Sequence, residues 1–81
     1  MKKFIISIDA GTTSNRSILF DLKGKPIYLS QKEFTQYFPK SGWVEHDPDE
    51  IWKTTLKTLR DVIAKAKKLR GKILSIGITN Q

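Results

Sequence analysis

The chain has 81 residues, 38% of them hydrophobic, and its 15 Lys or Arg against eight Asp or Glu give a formal net charge of +7. This length holds one domain at most and buries only about 60% of the unfolded surface, so the core must be thin. Without cysteine and with one His there is no disulfide framework and no ligand set for a zinc centre. No run approaches the ~18–20 apolar residues of a membrane span, and Asp9 comes too soon for a signal peptide, so a soluble, cytoplasmic protein is expected.

Phe4-Ile5-Ile6-Ser7-Ile8 is a short apolar run closed by Asp9 and Gly11, the pattern of a central strand buried on both faces. A polar turn, Gly11 to Arg16, leads to a second strand, Ser17-Ile18-Leu19-Phe20. Asp21 to Lys25 then supplies a turn, with Gly24 available for positive φ. Pro26 opens a third strand that runs to Phe34 and becomes more polar along its length, as suits a strand nearer the sheet edge. Thr35 to Asp47 has no sustained period and reads as a connection, although Tyr37, Phe38 and Trp43 suggest that it packs down.

Asp47-Pro48-Asp49-Glu50 is the strongest local signal, with Asp47 as N-cap, Pro48 where no N–H is needed, and Glu50 placed to complete a capping box. Ile51, Trp52, Thr55, Leu56, Leu59, Val62, Ile63 and Ala66 then recur at three- and four-residue steps, one apolar stripe of a helix reaching about Leu69, with Gly71 past its end. Lys72 to Ile78 is a last strand, and the helix before it is the crossover that a parallel neighbour of the first strand requires. The order βββαβ predicts an α/β layer with a mixed sheet rather than a doubly wound one.

The positive charge sits late. Residues 1–47 carry seven basic and five acidic groups, and residues 48–81 carry eight and three. The excess is concentrated at Lys65, Lys67, Lys68, Arg70 and Lys72, where cations complement a helix C-terminus and solvate its outer face. A small basic module that binds nucleic acid is the competing reading, but no aromatics interleave these residues, so no nucleic-acid partner is expected.

The chemistry lies in Asp9-Ala10-Gly11-Thr12-Thr13-Ser14-Asn15-Arg16. Gly11 permits a sharp turn and close approach of a ligand, and Thr12, Thr13 and Ser14 offer three hydroxyls together with backbone N–H groups. Arg16 adds a charged fork suited to phosphate, and Asp9, at a strand end, suits a hydrated Mg²⁺. On residue chemistry alone this is either a nucleotide site or an ordinary hairpin loop whose Asp and Ser bond the local backbone. It is not a Walker loop, because it lacks Gly-Lys-Ser/Thr and leads into a strand. His46, beside the N-cap and without a catalytic partner nearby in sequence, reads as a packing or hydrogen-bonding residue.

The loop, together with Gln31-Lys32-Glu33-Phe34-Thr35-Gln36, Gly42-Trp43-Val44-Glu45-His46-Asp47-Pro48, Glu50-Ile51-Trp52 and Ile76-Gly77-Ile78-Thr79-Asn80-Gln81, resembles the start of the FGGY carbohydrate kinases. The resemblance spans nearly the whole chain. It implies a ribonuclease-H-like, actin-like ATPase fold, with residues 1–81 as the N-terminal part of an incomplete first domain. It further implies ATP-dependent phosphorylation of a polyol, most readily glycerol to glycerol 3-phosphate, with ATP or ADP and Mg²⁺ bound. Gly11, Thr12, Thr13, Ser14 and Arg16 would contact the nucleotide phosphates, with Thr12 nearest the transferred group, and Asp9 would be the metal-associated carboxylate. In the family an Arg-Glu pair that holds the substrate follows the Asn-Gln that here is Asn80-Gln81, and the general base and adenine pocket lie further on. The 81 residues alone are therefore expected to contain no catalytic base and to be inactive, within a parent expected to be a homo-oligomer. Members acting on glycerol usually carry Gln and Ser where Ala10 and Asn15 stand, which keeps another substrate, such as xylulose or erythritol, as the alternative. With one helix available, the sheet's second face should stay uncovered and the 81-residue chain should self-associate.

Overall fold

The computed structural model describes residues 2–37 and 45–80. Its elements are β1 (Lys2–Ala10), β2 (Ser14–Asp21), β3 (Pro26–Glu33), β4 (Gln36–Tyr37), β5 (Glu45–His46), α1 (Pro48–Lys68) and β6 (Gly71–Asn80). The main sheet has the order β3-β2-β1-β6, with β1 antiparallel to β2 and parallel to β6, while β4 and β5 form a separate small hairpin. This is the mixed α/β sheet expected, with α1 as the crossover on one face. Of the residues expected to pack down, Phe38 and Trp43 lie outside the described residues.

The register of Ile6 with Leu19 and of Ile8 with Ser17 puts alternate residues of β1 and β2 under the helix. Phe4, Ile6, Ile8 and Leu19 meet Val62 and Ala66 there, with Ile27, Leu59, Ile63, Leu69 and Ile73 closing the margins. Ile5, Ile18, Phe20 and Leu29 fall on the opposite face, where no described element packs. The strand β1 is thus central but buried on one face only, which corrects the two-sided burial read from its apolar run. Such a run cannot say which face a neighbouring element will cover.

The helix begins and ends where its signals place it, but three details differ. The Asp47 carboxylate accepts the Asp49 N–H at 2.9 Å, whereas the Glu50 carboxylate takes the backbone N–H of Thr35 instead of closing a capping box. Trp52, counted in the apolar stripe, is 62% exposed; the buried line is Thr54, Thr58, Val62 and Ala66, turned so that threonines meet the polar start of β2. The left-handed residue after the helix is Arg70, at φ 57°, rather than Gly71. Gly71 is required for a different reason, since a Cβ there would lie 2.0 Å from the Phe4 ring. In the β2–β3 turn Gly24 does take positive φ, and Asp21 Oδ1 accepts the N–H groups of Lys23 and Lys25 at 2.9 Å.

At the outer margin, Asp61 joins α1 to β3. Its carboxylate accepts from Lys57 Nζ at 2.8 Å and from Ser30 Oγ at 2.6 Å. The Lys57 and Ser30 hydrogen bonds hold Asp61 below its ordinary value of 3.8, against a smaller upward pull from burial. A carboxylate depressed on folding adds stability above its unfolded value and loses it as the pH falls through its folded one. Asp61→Asn should therefore lower the melting temperature slightly at neutral pH, and the gap to wild type should close in a thermal-melt series taken below pH 3.8.

Candidate phosphate-binding site

The strand β2 starts three residues earlier than the apolar pattern indicates, so the loop proper is only Gly11-Thr12-Thr13. Ser14, Asn15 and Arg16 are strand residues. Alternation then sends Ser14 and Arg16 to the open face and Asn15 under the helix. The turn is tight: Gly11 N–H donates to Ser14 O at 3.0 Å, and a Cβ on Gly11 would stand 2.9 Å from that same oxygen. Glycine is needed here by contact, at an ordinary φ.

The sequence-derived residues come together. Asp9, Gly11, Thr12, Thr13, Ser14 and Arg16 line one concavity of about 150 Å³ at the carboxyl end of β1, and Gln31 completes it. Thr12 and Thr13 are exposed at its mouth. Gln31 Nε2 donates to Ser14 Oγ at 3.0 Å, a contribution from β3 that reading the loop by itself misses. Its signal was the β2–β3 register, which sets Arg16 opposite Gln31.

Asp9 is the electrostatic centre. Its Oδ2 accepts Arg16 Nε at 2.9 Å and Nη2 at 2.8 Å, while Thr79 Oγ1, from the parallel neighbour β6, donates to Oδ1 at 3.2 Å. Thr79 is a second residue that sequence reasoning did not single out. Its place follows from the pairing of Asp9 with Thr79, which only the crossover creates. Arg16 remains 43% exposed at its side chain, so its guanidinium borders the concavity while braced on Asp9. The donor set fits a Mg²⁺–nucleotide: one carboxylate beside hydroxyls suits a cation that keeps most of its ligands as water and phosphate. No group of three acidic, His or Cys side chains that would make an all-protein cage occurs among the described residues.

The loop is also held from behind. Phe34 N–H donates to Thr13 O at 3.1 Å, and the Phe34 and His46 rings pack nearly perpendicular with their centroids 5.0 Å apart. His46 thus packs against Phe34, in keeping with a structural role, and is not among the residues that line the concavity. The late basic residues lie elsewhere. Lys67, Lys68, Arg70 and Lys72 follow the helix to the start of β6, which pairs with Lys2 and Lys3 at the end of the sheet away from Gly11.

The N-terminal domain model of the FGGY family of carbohydrate kinases matches residues 4–81. The chain belongs to this family. Glycerol kinase of Petrotoga mobilis is 54% identical over all 81 residues, and that of Sinorhizobium fredii 58%. Among solved FGGY-type structures, Plasmodium falciparum glycerol kinase with ADP superposes with a TM-score of 0.85 at 31% identity over 99% of this chain. Gluconate kinase from Lactobacillus acidophilus superposes at 0.88, also at 31% identity, over 100% of it. The chain spans 16% of the length of each of these relatives. Its four-stranded sheet with one crossover helix matches part of their actin-like ATPase fold. No described helix is long and apolar enough to cross a membrane.

Proposed function

We propose that this chain is the phosphate-handling opening segment of an ATP-dependent kinase that transfers the γ-phosphoryl group to a polyol hydroxyl, with glycerol as substrate and glycerol 3-phosphate as product. The observation that carries the reading is the concavity itself, where a hydroxyl-rich turn, a carboxylate and a guanidinium converge at a strand end. The naming of its 54–58% identical relatives as glycerol kinases supports the substrate.

Phosphoryl transfer needs little covalent help, so positioning and charge neutralisation carry it. Gly11 brings the backbone close to the phosphate chain, and Thr12, Thr13 and Ser14 donate hydrogen bonds to its oxygens, Thr12 nearest the transferred group. Arg16 neutralises their charge. Asp9 would hold a Mg²⁺ bound with the nucleotide, and that ion would supply further neutralisation of the phosphate charge. The residues that hold glycerol, the general base and the adenine site belong, in this proposal, to the rest of a cytoplasmic, homo-oligomeric parent, of whose first domain residues 1–81 are the N-terminal part.

The test is direct. The 81-residue chain given ATP, Mg²⁺ and glycerol should form no glycerol 3-phosphate, and the intact protein should form it. Turnover by the short chain would refute the division of labour. Ala10 and Asn15 stand where the family resemblance leads one to expect Gln and Ser in glycerol-acting members, which leaves open a second reading in which the acceptor is another polyol or sugar. A panel of glycerol, xylulose and erythritol on the intact protein separates the two by kcat/KM.

A further inference from the structure

Asn15 lies between two proposed phosphate contacts but points the other way. It is fully buried, and its Nδ2 lies 3.1 Å from Ile51 O, 2.9 Å from Thr54 Oγ1 and 2.8 Å from Thr55 Oγ1. Both threonine hydroxyls donate to Ile51 O, at 2.9 and 2.8 Å, so their lone pairs are free to accept the two amide hydrogens. The two threonine hydroxyls could turn to serve either end of the amide, but the Ile51 carbonyl only accepts, and that contact assigns Nδ2 to this side. In that orientation Oδ1 is buried without a hydrogen-bond partner among the described residues. An unmet buried acceptor is unfavourable by about 1–3 kcal/mol, so an apolar residue would serve mere helix packing better.

We propose that Asn15 is a positioning residue for the phosphate loop: it fixes the strand segment Ser14–Arg16 to the first turns of α1, so the helix serves as a rigid backing that sets where the Ser14 hydroxyl and the Arg16 guanidinium stand. This rests on the phosphate-site reading above. The same interface contains its own control one helical turn on, where Ser17 Oγ and Thr58 Oγ1 share a buried hydrogen bond of 2.9 Å. That bond joins the same two elements but does not flank the loop.

The experiment uses the intact protein and Mg²⁺–ADP binding measured by titration calorimetry, with thermal melts alongside. Thr55→Val removes one acceptor of the Asn15 amide from the helix side, leaves the loop sequence untouched and keeps the side-chain shape. It should raise the ADP dissociation constant about five- to tenfold. Thr55→Ser, which retains the hydroxyl, should bind as wild type. Thr58→Val should lower the melting temperature at least as much as Thr55→Val yet leave ADP affinity unchanged. Asn15→Leu should match or exceed Thr55→Val, and the helix-side variants keep the test decisive should this one fail to fold. Wild-type binding that Thr55→Val leaves unaltered, or that Thr58→Val weakens equally, overturns the positioning role alone. A wild-type protein that takes up no Mg²⁺–ADP overturns the phosphate-site reading and this proposal with it.

Discussion

Arg16→Ala in the intact protein should raise the KM for ATP by roughly ten- to a hundredfold while leaving the KM for glycerol within about twofold. Two losses act together. The fork that the proposed function assigns to the phosphates disappears, and the Asp9 carboxylate, which now receives Nε at 2.9 Å and Nη2 at 2.8 Å on one oxygen, is left without its cation beside the polyanion that the same proposal brings there. Like charges at that range repel, so the variant suffers more than the loss of a single hydrogen bond. Arg16→Lys should recover only part of the loss, because an ammonium restores charge but not the planar fork. Steady-state kinetics with each substrate varied in turn decides the matter, and equal damage to ATP and glycerol use would contradict the assigned role. Raising ionic strength should narrow the gap between wild type and Arg16→Ala, since the concavity is open to solvent at Thr12 and Thr13.

The elements were legible because most are written in short-range patterns. Asp47-Pro48 marks a helix start on its own, and Pro26 and Gly24 punctuate the hairpin without help from tertiary structure. The site was legible as a set of residues, since Asp9 to Arg16 is contiguous, but not as a geometry. Period-2 alternation shows that Ser14 and Arg16 face one way and Asn15 the other only once β2 is known to begin at Ser14. Polar residues at the head of a strand resemble a loop, and only the ladder with Ala10 and Glu33 distinguishes them. Thr79 and Gln31 were invisible for another reason: both reach the site through strand pairing across 70 and 17 residues of chain. Trp52 shows the opposite failure. A hydrophobic stripe counts residues by type, whereas the helix is rolled by the hydrogen bonds that Thr54, Thr55 and Thr58 make with Asn15 and Ser17, which turns Trp52 outward.

The thin core bears on how the 81-residue chain should behave by itself. Light scattering at concentrations of tens of micromolar and above should find it associated rather than monomeric, for reasons that lie in the sheet. One face carries Ile5, Ile18, Phe20 and Leu29 with no described element packed on it. On the helix side, Ile76 is 48% and Ile78 75% exposed, because α1 lies mainly over β2 and β3. The strand carrying them, β6, is a ten-residue edge that pairs only with β1 among the described residues, and after Lys72 its sequence to Asn80 holds neither a charge nor a proline. Such an edge lacks the usual devices that discourage pairing with another chain. The net charge of +7 opposes association, so added salt should strengthen it, the reverse of what a polar contact would show. Ile78→Lys should shift the population toward monomer with little effect on the melting temperature, because a side chain that exposed contributes few contacts to the fold. A wild-type chain that stays monomeric as concentration and salt are raised would mean that the uncovered sheet is too small, or too strongly charged at its rim, to drive association.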